Sequence, residues 1–453
     1  MTPGNPWVND IRMHNFRGEM SRIGFPIPQN CRFRRYRNFT IRAAVITFLA
    51  LCLYEAMQSV GDTPTRRNDF KMKQTPWIEH VQQSQERRKG VIILTSHRSG
   101  STFFGQLFNQ RPDVFFHFEP LLPFGYGCAK IDDPLRVEYL TNLFQCNISN
   151  QDSLPIDKGS RKQSDFTSAN LCLQQNFCFR EKSKRMCSEE FCKIPKACWE
   201  CDPVDSEVAS EMCEISHLTA IKVIRICDLM TLKPLLENPS FDIKILHLVR
   251  DPRGVLGSRK KLEGKYGFEA IGVTCERMEN SLDIGFDPQN TWLDGKYKVI
   301  RYEDVCQRPM HIASEIYKFV GLSMTTAMEK WITSNTEGQL NLVGDTRAYK
   351  VERKMLKEKL RGRKKLRELI INDPYTTTRN SSATWREWRD NLDFHMVEQV
   401  QQDCRTAMHK LKYVPVGTAG ELRNDEFNVL GKFCSDRTLP RCSRVTDILF
   451  KLT

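Results

Sequence analysis

Five short apolar runs, near 91–96, 114–118, 220–226, 244–250 and 297–302, punctuate the chain, and helical or loop segments separate them. Their length and their Val, Ile, Leu and Phe content fit buried strands, and strands alternating with helices favour a mainly parallel central sheet covered by helices on both faces. The expected class is therefore α/β, with ligands bound at the carboxyl ends of the strands. Further helices are expected near 308–319, 351–371 and 391–411. No internal repeat is visible.

Two of the strand-to-helix transitions carry chemistry. The first run, Val91-Ile92-Ile93-Leu94, leads into Thr95-Ser96-His97-Arg98-Ser99-Gly100-Ser101-Thr102 and then the apolar Phe103-Phe104. Backbone N–H groups converge at such a turn, the helix dipole adds positive charge, and the hydroxyls of Ser99, Ser101 and Thr102 are further donors. Gly100 permits close backbone approach. The stretch is not a Walker A loop, which needs two glycines five positions apart followed by Lys and Ser/Thr. A magnesium-dependent nucleoside triphosphatase or kinase is disfavoured accordingly.

The second transition, Lys244-Ile245-Leu246-His247-Leu248-Val249 into Arg250-Asp251-Pro252-Arg253-Gly254-Val255-Leu256-Gly257-Ser258-Arg259, places a capping Asp before an N1 proline. It forms another helix N-terminus, flanked by Arg250 and Arg253, with Ser258 further along. Two anion sites in one α/β chain suggest a nucleotide phosphorylated at two places.

The N-terminal region has a different character. Residues 43–54 form an apolar run of roughly 18 Å if helical, short of a ~30 Å hydrocarbon core; extension over 39–60 reaches that length if Arg42 snorkels. Arg32, Arg34, Arg35, Arg37 and Arg42 lie upstream, which by the positive-inside rule keeps 1–42 cytosolic. The expected organisation is a cytosolic tail (1–42), a transmembrane signal-anchor (43–60), a polar stem (61–89) and a lumenal domain (90–453). Within that domain the Cys-rich stretch of about 128–215 is expected to be an insertion.

Of 17 cysteines, seven fall between Cys172 and Cys213, and only Cys198 and Cys201 have metal-ligand spacing. Disulfides in an oxidising compartment are the simpler reading, with no metal. An odd lumenal count leaves one thiol free or bridging two chains, so a homodimer stays open. Asn147-Ile148-Ser149 and Asn380-Ser381-Ser382 are lumenal glycosylation sequons. The formal net charge is +13, and residues 351–371 are strongly basic; an anionic polysaccharide or plain solvation accounts for that run. A lumenal address removes nucleic acid as a partner.

The segments Arg98-Ser-Gly-Ser-Thr-Phe-Phe-Gly-Gln-Leu-Phe-Asn109 and Leu248-Val-Arg-Asp-Pro-Arg-Gly-Val-Leu-Gly-Ser-Arg259 resemble the 5′-phosphosulfate loop and the 3′-phosphate motif of Golgi carbohydrate sulfotransferases. More narrowly, they resemble the branch that sulfates the 6-hydroxyl of galactose, N-acetylgalactosamine or N-acetylglucosamine. Val299-Ile-Arg-Tyr-Glu-Asp304 and Thr378-Arg-Asn-Ser-Ser382 extend the likeness, which runs from about residue 90 to about 415.

The resemblance implies a P-loop-like sulfotransferase fold in the Golgi membrane. It implies metal-free transfer of a sulfuryl group from 3′-phosphoadenosine 5′-phosphosulfate to a hydroxyl of an anionic or neutral glycan such as chondroitin or keratan. It further implies that His97, Arg98, Ser99, Gly100, Ser101, Thr102 and Phe103 hold one end of the donor. Arg250, Asp251, Pro252, Arg253, Gly254, Val255, Leu256, Gly257 and Ser258 hold the other, with Arg379 closing over it. Arg98 stands where cytosolic relatives carry Lys and acts by charge alone, since Arg does not give up a proton. Glu119, at the end of the second strand in Phe118-Glu119-Pro120-Leu121, matches the family's catalytic base; alternation places His117 on its face, where packing among Phe residues suits it better. A catalytically silent, membrane-tethered glycan-binding protein on the same fold is the alternative.

Overall fold

The computed structural model describes residues 87–121, 124, 134–148, 178–179, 184–185, 200–201, 206–262, 270–337 and 381–433. The expected tail, anchor and nearly all of the stem, the interior of the Cys-rich stretch, the basic segment 351–371 and Arg379 lie outside them. Among the described residues no helix is long and apolar enough to cross a membrane.

The chain alternates strand and helix: β1 (Arg88–Thr95), α1 (Ser101–Asn109), β2 (Val114–Phe118) and α2 (Pro134–Phe144). A two-residue ribbon, β3 (Cys178–Phe179) with β4 (Glu200–Cys201), precedes α3 (Ser206–Glu214), β5 (Leu218–Val223), α4 (Lys233–Glu237), β6 (Phe241–Val249) and α5 (Pro252–Lys260). Then follow α6 (Ile271–Phe286), β7 (Tyr297–Arg301), α7 (Tyr302–Gln307), α8 (Pro309–Val320) and α9 (Thr326–Thr336). Five short helices close the described chain: α10 (Ser381–Thr384), α11 (Trp388–Asn391), α12 (Phe394–Asp403), α13 (Arg405–Lys410) and α14 (Ala419–Arg423). The helix expected over 391–411 is thus two, broken at Cys404.

The main sheet has the order β2-β5-β1-β6-β7 and every pairing in it is parallel. The chain starts in the middle, moves to one edge, and returns past β1 to the other. That reversal opens a crevice at the carboxyl ends of β1, β5 and β6. Strand β1 explains why no alternation was visible in its sequence: Ile92 and Leu94 join one buried cluster, Val91 and Ile93 another. Both faces are apolar because helices cover both.

The two ends of the Cys-rich stretch belong to the main core. Tyr139, Leu140, Leu143 and Phe144 of α2 and Ala209 of α3 are buried in the same cluster as Ile92. The Cys146–Cys213 disulfide ties those helix ends together, and Cys275–Cys404 ties α6 to the α12–α13 break. Cys227 is disulfide-bonded as well. Cys306 is a free thiol, and its burial keeps it from bridging two chains.

Candidate functional site

Because the strands are parallel, the turns after β1, β2, β5, β6 and β7 all open at one end of the sheet. The turn after β1 has two left-handed residues, Arg98 (φ 71°) and Gly100 (φ 81°). Such a conformation costs a non-glycine residue about 1–2 kcal/mol, so Arg98 is held under strain by its surroundings. A Cβ on Gly100 would overlap the Tyr302 ring, which makes glycine obligatory there on two counts. No side chain caps α1. Its first-turn N–H groups, from Ser101, Thr102 and Phe103, have no intrahelical acceptor, an arrangement suited to receiving an anion. Ser99 is fully buried and its hydroxyl meets that of Ser96 at 2.7 Å. It braces the loop. Phe103 stacks on Trp331, with centroids 5.5 Å apart.

The turn after β6 reaches across to the first. Arg98 Nε donates to Ser258 Oγ at 3.0 Å, and Arg250 donates to the Arg98 carbonyl at 2.9 Å. The Arg250 guanidinium lies 4.4 Å from the centroid of Tyr302, on the ring that fills the space beside Gly100. Its Nε is buried with no hydrogen-bond partner among the described residues. The two turns read separately from sequence are therefore one surface.

Within the second turn the expected ligands divide. Asp251 caps α5 through the Arg253 N–H at 2.9 Å, as its position before Pro252 suggested. It also forms a two-pronged ion pair with the Arg253 guanidinium, at 2.7–3.2 Å. Arg253 is 0% exposed and donates further to Gln401 Oε1 and the Val414 carbonyl. Asp251 and Arg253 hold the turn together from inside, and a bound anion would have to come to Arg250 and Ser258 instead. Pro252 and Val255 are buried, and Leu256 packs against two cores. Gly254 and Gly257 let Trp388 approach: a Cβ would lie 3.5 Å from Trp388 Cδ1 at the first and 3.2 Å from Trp388 Cβ at the second.

Glu119 sits just beyond β2 with φ 52°, a turn that ends the alternation expected to align it with His117. His117 is buried edge-on to Phe115, both ring nitrogens lack a hydrogen-bond partner among the described residues, and burial pushes its pKa down to about 3. It is a core residue. Glu119 instead meets two cations from the end of β5, Lys222 at Oε1 and Arg225 at Oε2, the latter at 3.1 Å. Burial alone would push this carboxyl up. The charge and hydrogen bond of Lys222, reinforced by Arg225, override that and hold it at about 2. His97 lies within the field of the same three groups and of Arg259. Burial first, then Lys222, Arg225 and Arg259 against Glu119, lower its pKa to about 4, so it is neutral near pH 7.

Residues 88–412 match the family described as Sulfotransferase domain. The chain belongs to that family. It is 28% identical over 377 residues to carbohydrate sulfotransferase 1 of Mus musculus, covering 76% of this chain and 84% of that protein. It is 29% identical over 375 residues to carbohydrate sulfotransferase 3 of Homo sapiens, covering 76% and 71%. These matches bear out the resemblance at the level of the carbohydrate sulfotransferases.

Several residues around this candidate site were not assigned from sequence. Glu303, in the Arg-Tyr-Glu-Asp segment, accepts the Asp251 N–H at 3.0 Å and the Tyr413 hydroxyl at 2.8 Å. It fixes the second turn from below. Burial, then the neighbouring Asp251 charge, push its pKa up to about 7. Arg301 grips Asp304 at 2.8 and 3.0 Å and steadies the same corner. Lys222 and Arg225, in the run expected to form the third strand, could from sequence alone face an acceptor or be edge-strand charges. β5 is an interior strand, so the second option falls. A lysine and an arginine at the end of an otherwise apolar interior strand were the available signal, because such charges are buried only beside a partner.

Proposed function

We propose that this sulfotransferase moves a sulfuryl group from 3′-phosphoadenosine 5′-phosphosulfate to a sugar hydroxyl, the 6-hydroxyl of a hexose or N-acetylhexosamine in a glycosaminoglycan or glycoprotein glycan. The observation that carries the reading is the junction of the two anion turns through Arg98, Ser258 and Arg250. The residues present fit the donor: the uncapped start of α1 offers backbone N–H groups, and Arg250 at the other turn keeps a buried Nε with no hydrogen-bond partner among the described residues. The α1 turn with Arg98 would hold the 5′-phosphosulfate, and Arg250 with Ser258 the 3′-phosphate. Arg379 remains a proposed closing contact.

When bound, the donor supplies an activated sulfuryl group on a good leaving phosphate. Arg98 places a permanent charge where negative charge builds during transfer, in a partly enclosed site where such charge is worth more than in water. Glu119 is the carboxylate within the site that would take the acceptor's proton. The names of the relatives support a carbohydrate acceptor. The arginine-flanked apolar run at 43–60 supports placement in the Golgi membrane with the catalytic domain lumenal.

The test is transfer of radiolabelled sulfate from the donor to desulfated chondroitin, keratan and mucin-type acceptors, followed by disaccharide analysis. Label on a 6-hydroxyl of one acceptor class is the expected result. Failure on all, together with failure to bind adenosine 3′,5′-bisphosphate, would leave the silent glycan-binding alternative.

A further inference from the structure

Resting on that reading, we infer that Glu303 is a positioning residue beneath the donor's 3′-phosphate and takes up a proton when that phosphate binds Arg250.

Glu303 is a buried carboxylate without an ion pair. It is 1% exposed, its Oε1 accepts the Asp251 N–H and its Oε2 accepts the Tyr413 hydroxyl. The charged groups around it are engaged with one another: Asp251 pairs with Arg253 at 2.7 Å in the α5 turn, and Arg301 of β7 pairs with Asp304 of α7 at 2.8 Å. Among the described residues, two hydrogen bonds and no paired cation hold the charge of Glu303. A carboxylate taken out of water in that state keeps its proton more strongly than an exposed one.

The cation that bears on it is Arg250. This arginine directly precedes the Asp251 N–H that Glu303 accepts, and its guanidinium lies over the ring of Tyr302, the residue before Glu303. Its printed donation goes to the Arg98 carbonyl, so its charge reaches the carboxylate through space. Burial, then the Asp251 charge, raise the Glu303 pKa to about 7, while Arg250, the Tyr413 hydroxyl and the Asp251 N–H restrain that rise. Glu303 in turn acts on Arg301 and on the buried Cys306 thiol of α7. A group that changes charge near neutral pH thus sits behind the arginine assigned to the 3′-phosphate.

Binding removes the restraint. The 3′-phosphate brings about two negative charges to Arg250 and offsets the field of the guanidinium at Glu303. Burial and Asp251 then dominate, and the proton affinity of Glu303 rises. The proton comes from the buffer and bonds to Oε2. That new O–H donates to the Tyr413 oxygen, whose own proton turns away, while Oε1 keeps the Asp251 N–H. The turn is braced in both states, and one buried negative charge is neutralised as another arrives. By linkage, a proton on Glu303 tightens the phosphate site by the same factor as the phosphate tightens the proton.

The test is calorimetric titration of wild type and Glu303→Gln with adenosine 3′,5′-bisphosphate and adenosine 5′-monophosphate, in buffers of different ionisation enthalpy. The slope of observed heat against buffer enthalpy counts the protons taken up. Near pH 7.5 the wild type is expected to take up about half a proton per bisphosphate, and Glu303→Gln none. With the monophosphate, which leaves Arg250 to Glu303, the two proteins are expected to agree; this control also covers His97 in the first turn. Near pH 5.5 Glu303 is already protonated, and the difference with bisphosphate is expected to vanish. Between about pH 6.5 and 8.5 the wild type's bisphosphate affinity is expected to fall about fivefold relative to the variant's. A purely structural brace would alter affinity or stability and leave the proton count alone. If Glu303→Gln does not fold, the two nucleotides on wild type still decide. Arginines cannot take up a proton and a phosphate bound to them can only lose one, so net uptake with the bisphosphate alone is expected.

Equal proton counts for wild type and Glu303→Gln with the bisphosphate, or for the two nucleotides on the wild type, would overturn the inference while leaving the function intact. Failure of the wild type to bind the bisphosphate would overturn both.

Discussion

The turns after β1 and β6 look alike in sequence, each a strand, a short arginine-bearing loop and a nine-residue helix. Their interiors differ. The first leaves its helix uncapped, holds two residues in left-handed conformation and keeps Arg98 part-exposed. The second caps its helix with Asp251, closes an ion pair onto Arg253 and fastens that arginine to residues more than 140 positions away. One turn is an open set of donors, and the other is a finished scaffold from which Arg250 and Ser258 reach toward the first. Local motif chemistry thus identifies where an anion can bind, whereas burial and long-range partners decide which of the motif's cations remain to bind it.

That contrast can be broken most severely at Arg253. Arg253→Ala strands Asp251 in the interior and is expected to destabilise the protein by about 3–5 kcal/mol in denaturant unfolding, while the fraction that folds keeps its nucleotide affinity within a few-fold. A large loss of affinity without loss of stability would make Arg253 a ligand after all. Arg98→Ala should do the reverse, lowering turnover by about 10²–10³-fold with little change in the unfolding midpoint. Collapse of stability there would mean that the first turn is scaffold too.

A smaller effect sharpens the picture of what supports the second turn. Glu303 has a folded pKa raised to about 7, above its ordinary carboxylate value. Its contribution to stability is fully present below about pH 4.3 and is lost as pH rises through 7. Thermal midpoints of the wild type are expected to include this fall, and Glu303→Gln should flatten it by about a few degrees between pH 5 and 8. A variant with the same pH slope as wild type would remove Glu303 from that role.

All five main strands were legible from their apolar runs, because a sheet buried on both faces needs nearly every residue apolar. Their ends were less so: Arg88 and Lys89 extend β1 by pairing with Phe241 and Asp242, which no local pattern announces. The two anion turns were legible as separate motifs. Their junction was suggested only by the two-phosphate argument and depends on β1 and β6 being sheet neighbours. The closure of Arg253 by Gln401 and Val414, the wedge of Tyr302 between Gly100 and Arg250, and the pairing of Glu119 with Arg225 across 106 positions were not legible, since each joins segments that the chain's topology alone brings together. Glu119 was legible as a residue just past the second strand. Its resting state as an ion-paired carboxylate was hidden with its partners.

The most direct measurement is calorimetric binding of adenosine 3′,5′-bisphosphate and adenosine 5′-monophosphate to wild type and Ser258→Ala. If both turns grip one nucleotide, the wild type should prefer the bisphosphate, and Ser258→Ala should weaken the bisphosphate by about 5–10-fold while leaving the monophosphate nearly unchanged. Equal weakening of both nucleotides, or no preference in the wild type, would contradict the shared grip.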